Sequence, residues 1–198
     1  LVRRLVLPLY FRRIEVVGQE NFPLYGPVIV APTHRSRWDS VIVPCAVGQD
    51  VSGRTLRFMV SADEVKGLQG WFIRRLGGFP INTRRPTIAA LRHSIGLLQQ
   101  KEALVIFPEG DIFRECVPLK PGLARIALQA EASQANLGLQ IVPIQICYSK
   151  PLVPWRCSVK VWVGEPIQVS DYCSKTPKAS AKRLTAVLEA CLKGLVSE

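Results

Sequence analysis

Histidine, methionine and paired cysteines are all scarce in this chain. There are two histidines, His34 and His93, and one methionine, Met59. The six cysteines (Cys45, Cys116, Cys147, Cys157, Cys173 and Cys191) never come closer than ten residues, so no C-x-x-C pair exists. A structural zinc site therefore has no basis, and no metal is expected. Most of the cysteines lie in apolar stretches and read as small core residues, which fits a reducing, cytoplasmic compartment. No apolar run reaches the roughly 18–20 residues of a membrane span. G-x-S-x-G, a P-loop and G-x-G-x-x-G are also missing, which removes support for a serine hydrolase, a nucleotide-triphosphate enzyme and a Rossmann dehydrogenase. Acid is missing from one long stretch: between Val65 and Lys101 there is no Asp or Glu, while Lys66, Arg74, Arg75, Arg84, Arg85, Arg92 and Lys101 give seven positive charges.

Charge and apolar bulk are what the chain does have. It holds 26 Lys+Arg against 15 Asp+Glu over 198 residues, a formal net charge of +11, and 48% of it is hydrophobic. That much apolar content excludes intrinsic disorder. Residues 1–198 fit one domain, large enough to bury roughly 70% of its unfolded surface without disulfide staples. Excess positive charge points to phosphate, as nucleic acid, anionic lipid or a small substrate. The opening LVRRLVLPLYFRR is cut by Arg3, Arg4 and Pro8; it has the basic, apolar start of a signal peptide but not the small-residue cleavage site. Two readings of residues 1–13 stay open: a buried or surface helix, or a basic segment resting on anionic lipid through Leu1, Leu5, Leu7, Leu9 and Phe11.

Short β-branched runs alternate with helical patterns. Residues 14–17, 28–31, 57–60, 104–107, 139–146 and 159–164 read as strands, mostly continuous apolar runs of the kind covered on both faces. Ile88, Leu91, Ile95 and Leu98 follow a helical period after a Pro86-Thr87 start. Leu123, Ile126, Ala127 and Ala130 form a second stripe, and Leu184, Val187, Leu188, Cys191 and Leu195 a third. Residues 64–76 read as a helix burying Trp71 and Phe72, and 170–180 as a loop. The alternation predicts an α/β fold: a single-domain layered structure with a central, largely parallel β-sheet flanked by helices.

Sites in such sheets form beyond the C-terminal strand ends. After the 28–31 strand come His34 and Asp39. In one continuous helix their spacing puts them about 140° apart, a poor contact. They meet if His34 lies in the loop and Asp39 in the first helical turn; the carboxylate then takes one imidazole proton and leaves the other nitrogen as a base. A loop histidine beside an ordinary helix-start aspartate is the plainer alternative. After the 104–107 strand, Pro108-Glu109-Gly110 makes a turn that sets a carboxylate at the sheet edge, either solvated or functional. Gly77 to Arg85 reads as a glycine-started turn ending in Arg84 and Arg85, whose planar forks suit phosphate oxygens. Lys120 stands beside a helix start that favours an anion. His93 should be exposed and without a role. Trp38, Phe58, Met59, Trp71 and Phe72 are either acyl-groove lining or ordinary core.

Taken in order, these pieces resemble the glycerolipid acyltransferase superfamily, nearest to the branch of 1-acyl-sn-glycerol-3-phosphate acyltransferases. The blocks that carry the likeness are H-x4-D (His34 to Asp39), a G-x-F-P-I type block (Gly77 to Arg85), F-P-E-G (Phe107 to Gly110) and a short V-P-I strand (Val142 to Ile144), preceded by the lead-in Arg12 to Pro23. The likeness implies transfer of a fatty acyl group from acyl-CoA or acyl-ACP to the free sn-2 hydroxyl of lysophosphatidic acid, giving phosphatidic acid in phospholipid biosynthesis. It implies His34 as general base, Asp39 as its orienting partner, and Glu109 and Gly110 as the acceptor-site turn. Arg84, Arg85 and Lys120 become candidates for the acceptor phosphate. No cofactor beyond the thioester co-substrate is implied. The enzyme is expected to be cytoplasmic, peripherally attached to an anionic membrane surface and without a nucleic-acid partner. The chain departs from the family at Thr33, often Asn, at Asn82-Thr83, usually Asp-Arg, and at Asp111-Ile112-Phe113, usually Thr-Arg-Ser. A different lysophospholipid or lipid alcohol is the alternative acceptor. The alternative of another class is a non-catalytic basic module that binds membrane or nucleic acid.

Overall fold

A computed structural model describes residues 6–61, 73, 77–81, 87–115, 117–174 and 176–195. Among them eight strands form one sheet: β1 (Arg13–Val17), β2 (Val28–Pro32), β3 (Leu56–Ser61), β4 (Gly78–Ile81), β5 (Ala103–Val105), β6 (Gln140–Tyr148), β7 (Ser158–Val163) and β8 (Ile167–Gln168). Their order is β1-β7-β6-β2-β5-β3-β4, with β8 paired to β6. β6, β2, β5, β3 and β4 run parallel. β7 turns back against β6, and β1 runs parallel to β7. The sheet is therefore largely parallel, as the alternation of strand and helix patterns predicts.

The helices are α1 (Leu7–Tyr10), α2 (Asp39–Val47), α3 (Gln49–Ser52), α4 (Ile88–Gln99), α5 (Gly122–Ser133) and α6 (Pro177–Gly194). They cover both faces, which is why β2 is buried at every position. Side chains alternate across a strand. Val28 and Val30 thus join the core under α1 and α2, with Leu7, Phe11, Ile42 and Val43. Ile29 and Ala31 join the opposite core with Leu98 of α4, Ala127 of α5 and Leu184 of α6.

Several expectations need correction. Gly77 to Ile81 is not only a turn: it enters β4, which pairs with β3 from Phe58↔Gly78 to Ser61↔Ile81. Gly77 has φ +86, and a Cβ there would lie 2.6 Å from the Leu56 carbonyl oxygen, so the chain needs glycine to enter this strand. The strand expected at 104–107 ends at Val105. Ile88 is 70% exposed, because α4 starts before it meets the core; its buried positions are Ser94, Leu97 and Leu98. α6 begins at Pro177, inside the stretch expected to be a loop, with proline suited to the first helical turn. Among the described cysteines only Cys157 is buried, and Cys173 is exposed. Cys116, Trp71, Phe72 and the helix expected over 64–76, apart from Ile73, lie outside the described residues. No helix among the described residues is long and apolar enough to cross a membrane.

Candidate active site

Parallel strands deliver the chain to one edge of the sheet, and the residues just past β2 and β5 meet the last residue of β6 there. Thr33 fixes the first of them. Its N–H donates to the Ile144 carbonyl at 2.9 Å, and its hydroxyl accepts the Ile146 N–H at 3.0 Å. The Thr33 side chain thus extends the β2–β6 ladder and sets where His34 leaves the sheet.

His34 lies in the loop, and Asp39 is the first residue of α2. This is the arrangement in which a five-residue spacing allows contact. His34 Nδ1 donates to Asp39 Oδ2 at 3.0 Å. The backbone N–H groups of Arg35 and Ser36 donate to the same oxygen at 2.6 and 2.7 Å. The other oxygen, Oδ1, accepts the Tyr148 hydroxyl at 2.6 Å. Asp39 is completely buried. An anion there is held by these four donors and by the positive end of α2. Burial and the neighbouring Asp39 charge push the Tyr148 phenol well above its usual range, so it remains a donor. With Nδ1–H committed to Asp39, the lone pair of His34 sits on Nε2.

The turn after β5 closes over this loop. Gly110, at φ +78, lets the chain turn, and its N–H donates to the Phe107 carbonyl at 3.1 Å. The Phe107 ring stacks on the His34 ring, 4.0 Å between centroids and 22° between planes. Glu109 is only 2% exposed, so it is not a solvated acid. Its Oε2 accepts the His34 N–H at 3.0 Å, and both its oxygens accept from Arg35 Nη1 at 2.8 and 2.7 Å. Burial raises the Glu109 carboxyl above its ordinary value; the bonds from Arg35 and from the His34 N–H pull the other way but do not cancel it. Arg35 Nη1 also donates to the Phe113 carbonyl at 3.0 Å, and the Phe113 N–H donates to the His34 carbonyl at 2.9 Å.

The residues named from sequence are thus partly assembled. His34, Asp39, Glu109 and Gly110 come together. Lys120 joins them: its N–H donates to the Pro108 carbonyl at 2.9 Å, and its ammonium lies over Gly110, where an added Cβ would meet Nζ at 2.6 Å. Arg84 and Arg85 lie outside the described residues; β4 ends at Ile81, on the same sheet edge. Phe58 is buried in the core with α1 and α2, and Met59 packs against the opposite core. Trp38 is half-buried against Tyr10 and Phe11. His93 is exposed, its ring edge-on to Phe79. Among the described residues no cluster of three His, Cys, Asp or Glu could hold a metal.

Two residues of the site escaped the sequence reading, Arg35 and Tyr148. Arg35 is adjacent to His34, and a buried arginine needs a buried acid, so Glu109 was the available signal. Tyr148 carries no local signal, because its partner is 109 residues away.

The sequence pattern of the Acyltransferase family matches residues 13–147. Over 183 residues the chain is 26% identical to the 1-acyl-sn-glycerol-3-phosphate acyltransferase of Bacillus subtilis (strain 168), covering 92% of this chain and 87% of that protein. Over 150 residues it is 30% identical to the protein of the same name from Streptococcus pneumoniae (strain ATCC BAA-255 / R6), covering 73% of this chain but 51% of that one, so it spans about half of that relative's length. In fold it is similar to the crystal structure of the 1-acyl-sn-glycerophosphate acyltransferase PlsC from Thermotoga maritima, with a TM-score of 0.68 at 22% identity over 93% of this chain and 72% of the other.

Proposed function

The chain belongs to the Acyltransferase family, and from that premise we propose that it moves a fatty acyl group from an acyl thioester to the sn-2 hydroxyl of 1-acylglycerol-3-phosphate, giving phosphatidic acid. The observation that carries this reading is the buried Asp39 holding His34 by Nδ1, with Nε2 left as the base.

An alcohol is a weak nucleophile toward a thioester, so its proton should leave as it attacks. His34 Nε2 takes that proton while the hydroxyl oxygen bonds to the thioester carbon. Asp39 stabilises the imidazolium that forms. The tetrahedral intermediate collapses, the carbon–sulfur bond breaks, and the imidazolium proton goes to the departing thiolate. No acyl-enzyme and no metal or redox cofactor is needed. Arg84, Arg85 and Lys120 take the acceptor phosphate. Glu109 and Gly110 shape the turn beside it, with Glu109 acting through Arg35 and the His34 backbone. The names of the Bacillus and Streptococcus relatives support lysophosphatidic acid as acceptor. Acyl-CoA or acyl-ACP supplies the acyl group, and the enzyme works peripherally at the cytoplasmic face of an anionic membrane. A second acceptor class, another lysophospholipid, is favoured only by Asp111-Ile112-Phe113 and Asn82-Thr83, which replace polar and basic residues common in the family.

The test is acyl transfer by purified protein, with both carriers and a panel of lysolipid acceptors. Removing a general base costs about 10²–10⁴-fold. His34→Ala should therefore lose at least a hundredfold in kcat; retention within about threefold overturns the base assignment. Arg84→Ala and Arg85→Ala should raise KM for the acceptor. If only the thioester's KM moves, the phosphate assignment is wrong.

A further inference from the structure

The sheet edge that carries His34 also carries a surface the chemistry does not use. Two segments build it: α1 with the residues leading into β1, and residues 149–157, which join β6 to β7. Because β7 runs against β6 and β1 runs with β7, both segments come to the edge where β2, β5 and β6 end. Four hydrogen bonds join them into one platform. The Arg12 N–H donates to the Cys157 carbonyl at 3.0 Å, and the Arg156 N–H to the Tyr10 carbonyl at 2.7 Å. The Tyr10 hydroxyl donates to the Val153 carbonyl at 2.8 Å, and the Trp155 indole N–H to the Leu9 carbonyl at 3.1 Å.

The platform is anchored from below by Leu7, Phe11, Val153 and Cys157, all buried. Above, it turns large apolar side chains to solvent: Leu9 is 74% exposed, Leu152 73% and Trp155 68%. One exposed leucine is ordinary, but three large apolar tips on one rigid support mark a contact surface. The backbone is bent to make it. Val153 and Arg156 have φ of +47 and +63, a conformation costly for a β-branched residue, and it keeps Val153 in the core while its neighbours face out.

Charge selects the occupant. Arg12, Lys150 and Arg156 are exposed around the tips, and neither residues 6–13 nor 149–157 contain an acid. A second copy would set one cationic rim against another and be repelled. Tryptophan and leucine tips within a cationic rim suit the headgroup layer of an anionic bilayer, where the rings sit at the interface and each cation gains from the surface potential.

We propose that Leu9, Leu152 and Trp155 insert into the headgroup region of an anionic bilayer, with Arg12, Lys150 and Arg156 on its phosphates. This deepens the acyltransferase reading and rests on it for its purpose, since a bilayer docked here feeds its lipid toward His34. An aromatic row spans the short distance: Tyr10 lies 4.3 Å and Phe11 5.3 Å from Trp38, Phe11 lies 6.1 Å from Tyr148, and Tyr148 holds Asp39.

Flotation of the purified protein with vesicles of phosphatidylcholine, alone or mixed with phosphatidylglycerol, tests this. Wild type should float with the mixed vesicles and much less with the neutral ones. Leu9→Ser/Leu152→Ser and Arg12→Gln/Lys150→Gln should each lower partitioning about tenfold while melting as wild type does. Leu152→Ser alone, which breaks no hydrogen bond, controls for misfolding and should show part of the loss. Turnover of acceptor embedded in vesicles should fall in step, with turnover of a dispersed short-chain acceptor held within about twofold. Variants that float like wild type, a wild type that ignores anionic vesicles, or variants that lose self-association instead of vesicle binding overturn the proposal. Absence of turnover with the dispersed acceptor in every protein, wild type included, overturns the acyltransferase reading and leaves the flotation result standing.

Discussion

Asp39 is in contact with four donors, and they divide unequally. Three reach Oδ2, whereas among the described residues Oδ1 accepts from the Tyr148 hydroxyl alone. Tyr148→Phe therefore strips Oδ1 of its protein donor and leaves a buried carboxylate oxygen unsatisfied, at a cost of about 1–3 kcal/mol. Where that cost loosens the aim of Asp39 on His34, it appears in turnover. Tyr148→Phe should lower kcat about tenfold or more with the acceptor KM little changed; an unchanged kcat removes Tyr148 from the positioning of the dyad. The same contact has a pH signature. Burial and Asp39 both oppose the phenolate, so the folded pKa lies above the unfolded value of about 10. A raised folded pKa means stability that is complete below about pH 10 and lost as the pH climbs further. Of the four tyrosines, Tyr148 should stay protonated in the folded protein at pH 11, so Tyr148→Phe should leave the native phenolate absorbance there unchanged. The dyad was legible in sequence because spacing and strand ends are local properties. Its third member was not, because hydrogen bonds to a residue on another strand leave no local pattern.

Between elements, the loop after β2 and the turn after β5 are held together by one buried ion pair. Arg35 and Glu109 side chains are 12% and 2% exposed. Breaking one partner of such a pair costs about 3–5 kcal/mol, because the other charge is left buried alone. For a domain of this size each kcal/mol is about 2–4 °C. Arg35→Ala should thus lower the melting temperature by roughly 10 °C, and the double change Arg35→Ala/Glu109→Gln should lose less than the sum of the two. Additive losses mean the two side chains do not depend on each other. The Pro-Glu-Gly turn was visible in the sequence, but the burial of Glu109 was not, since it is set by the loop that folds over it. The strand β4 was obscured for a related reason. Gly77-Gly78 signals a turn, and only pairing with β3 makes a strand of Gly78–Ile81. The parallel core strands, by contrast, were readable because burial on both faces demands continuous apolar runs.

For the molecule as a whole, the net charge of +11 acts at a distance that salt controls. The Debye length shrinks from about 10 Å near 0.1 M to about 3 Å near 1 M. Association with anionic vesicles should weaken steeply across that range; an association indifferent to salt means the apolar tips alone carry it. Composition announced the charge but not its placement, because the acid-free segments that face one edge are joined only by the return of β7 against β6. The same topology bears on when the protein becomes an enzyme. β2 pairs with β5 and β6, and Tyr148 reaches back across 109 residues to Asp39. A chain emerging from the ribosome amino end first makes His34 and Asp39 early, yet the partners that set them arrive only with β6. Until Tyr148 is released, His34 and Asp39 of the nascent chain lack the contact that fixes them, and the site is complete only when most of the domain has been made.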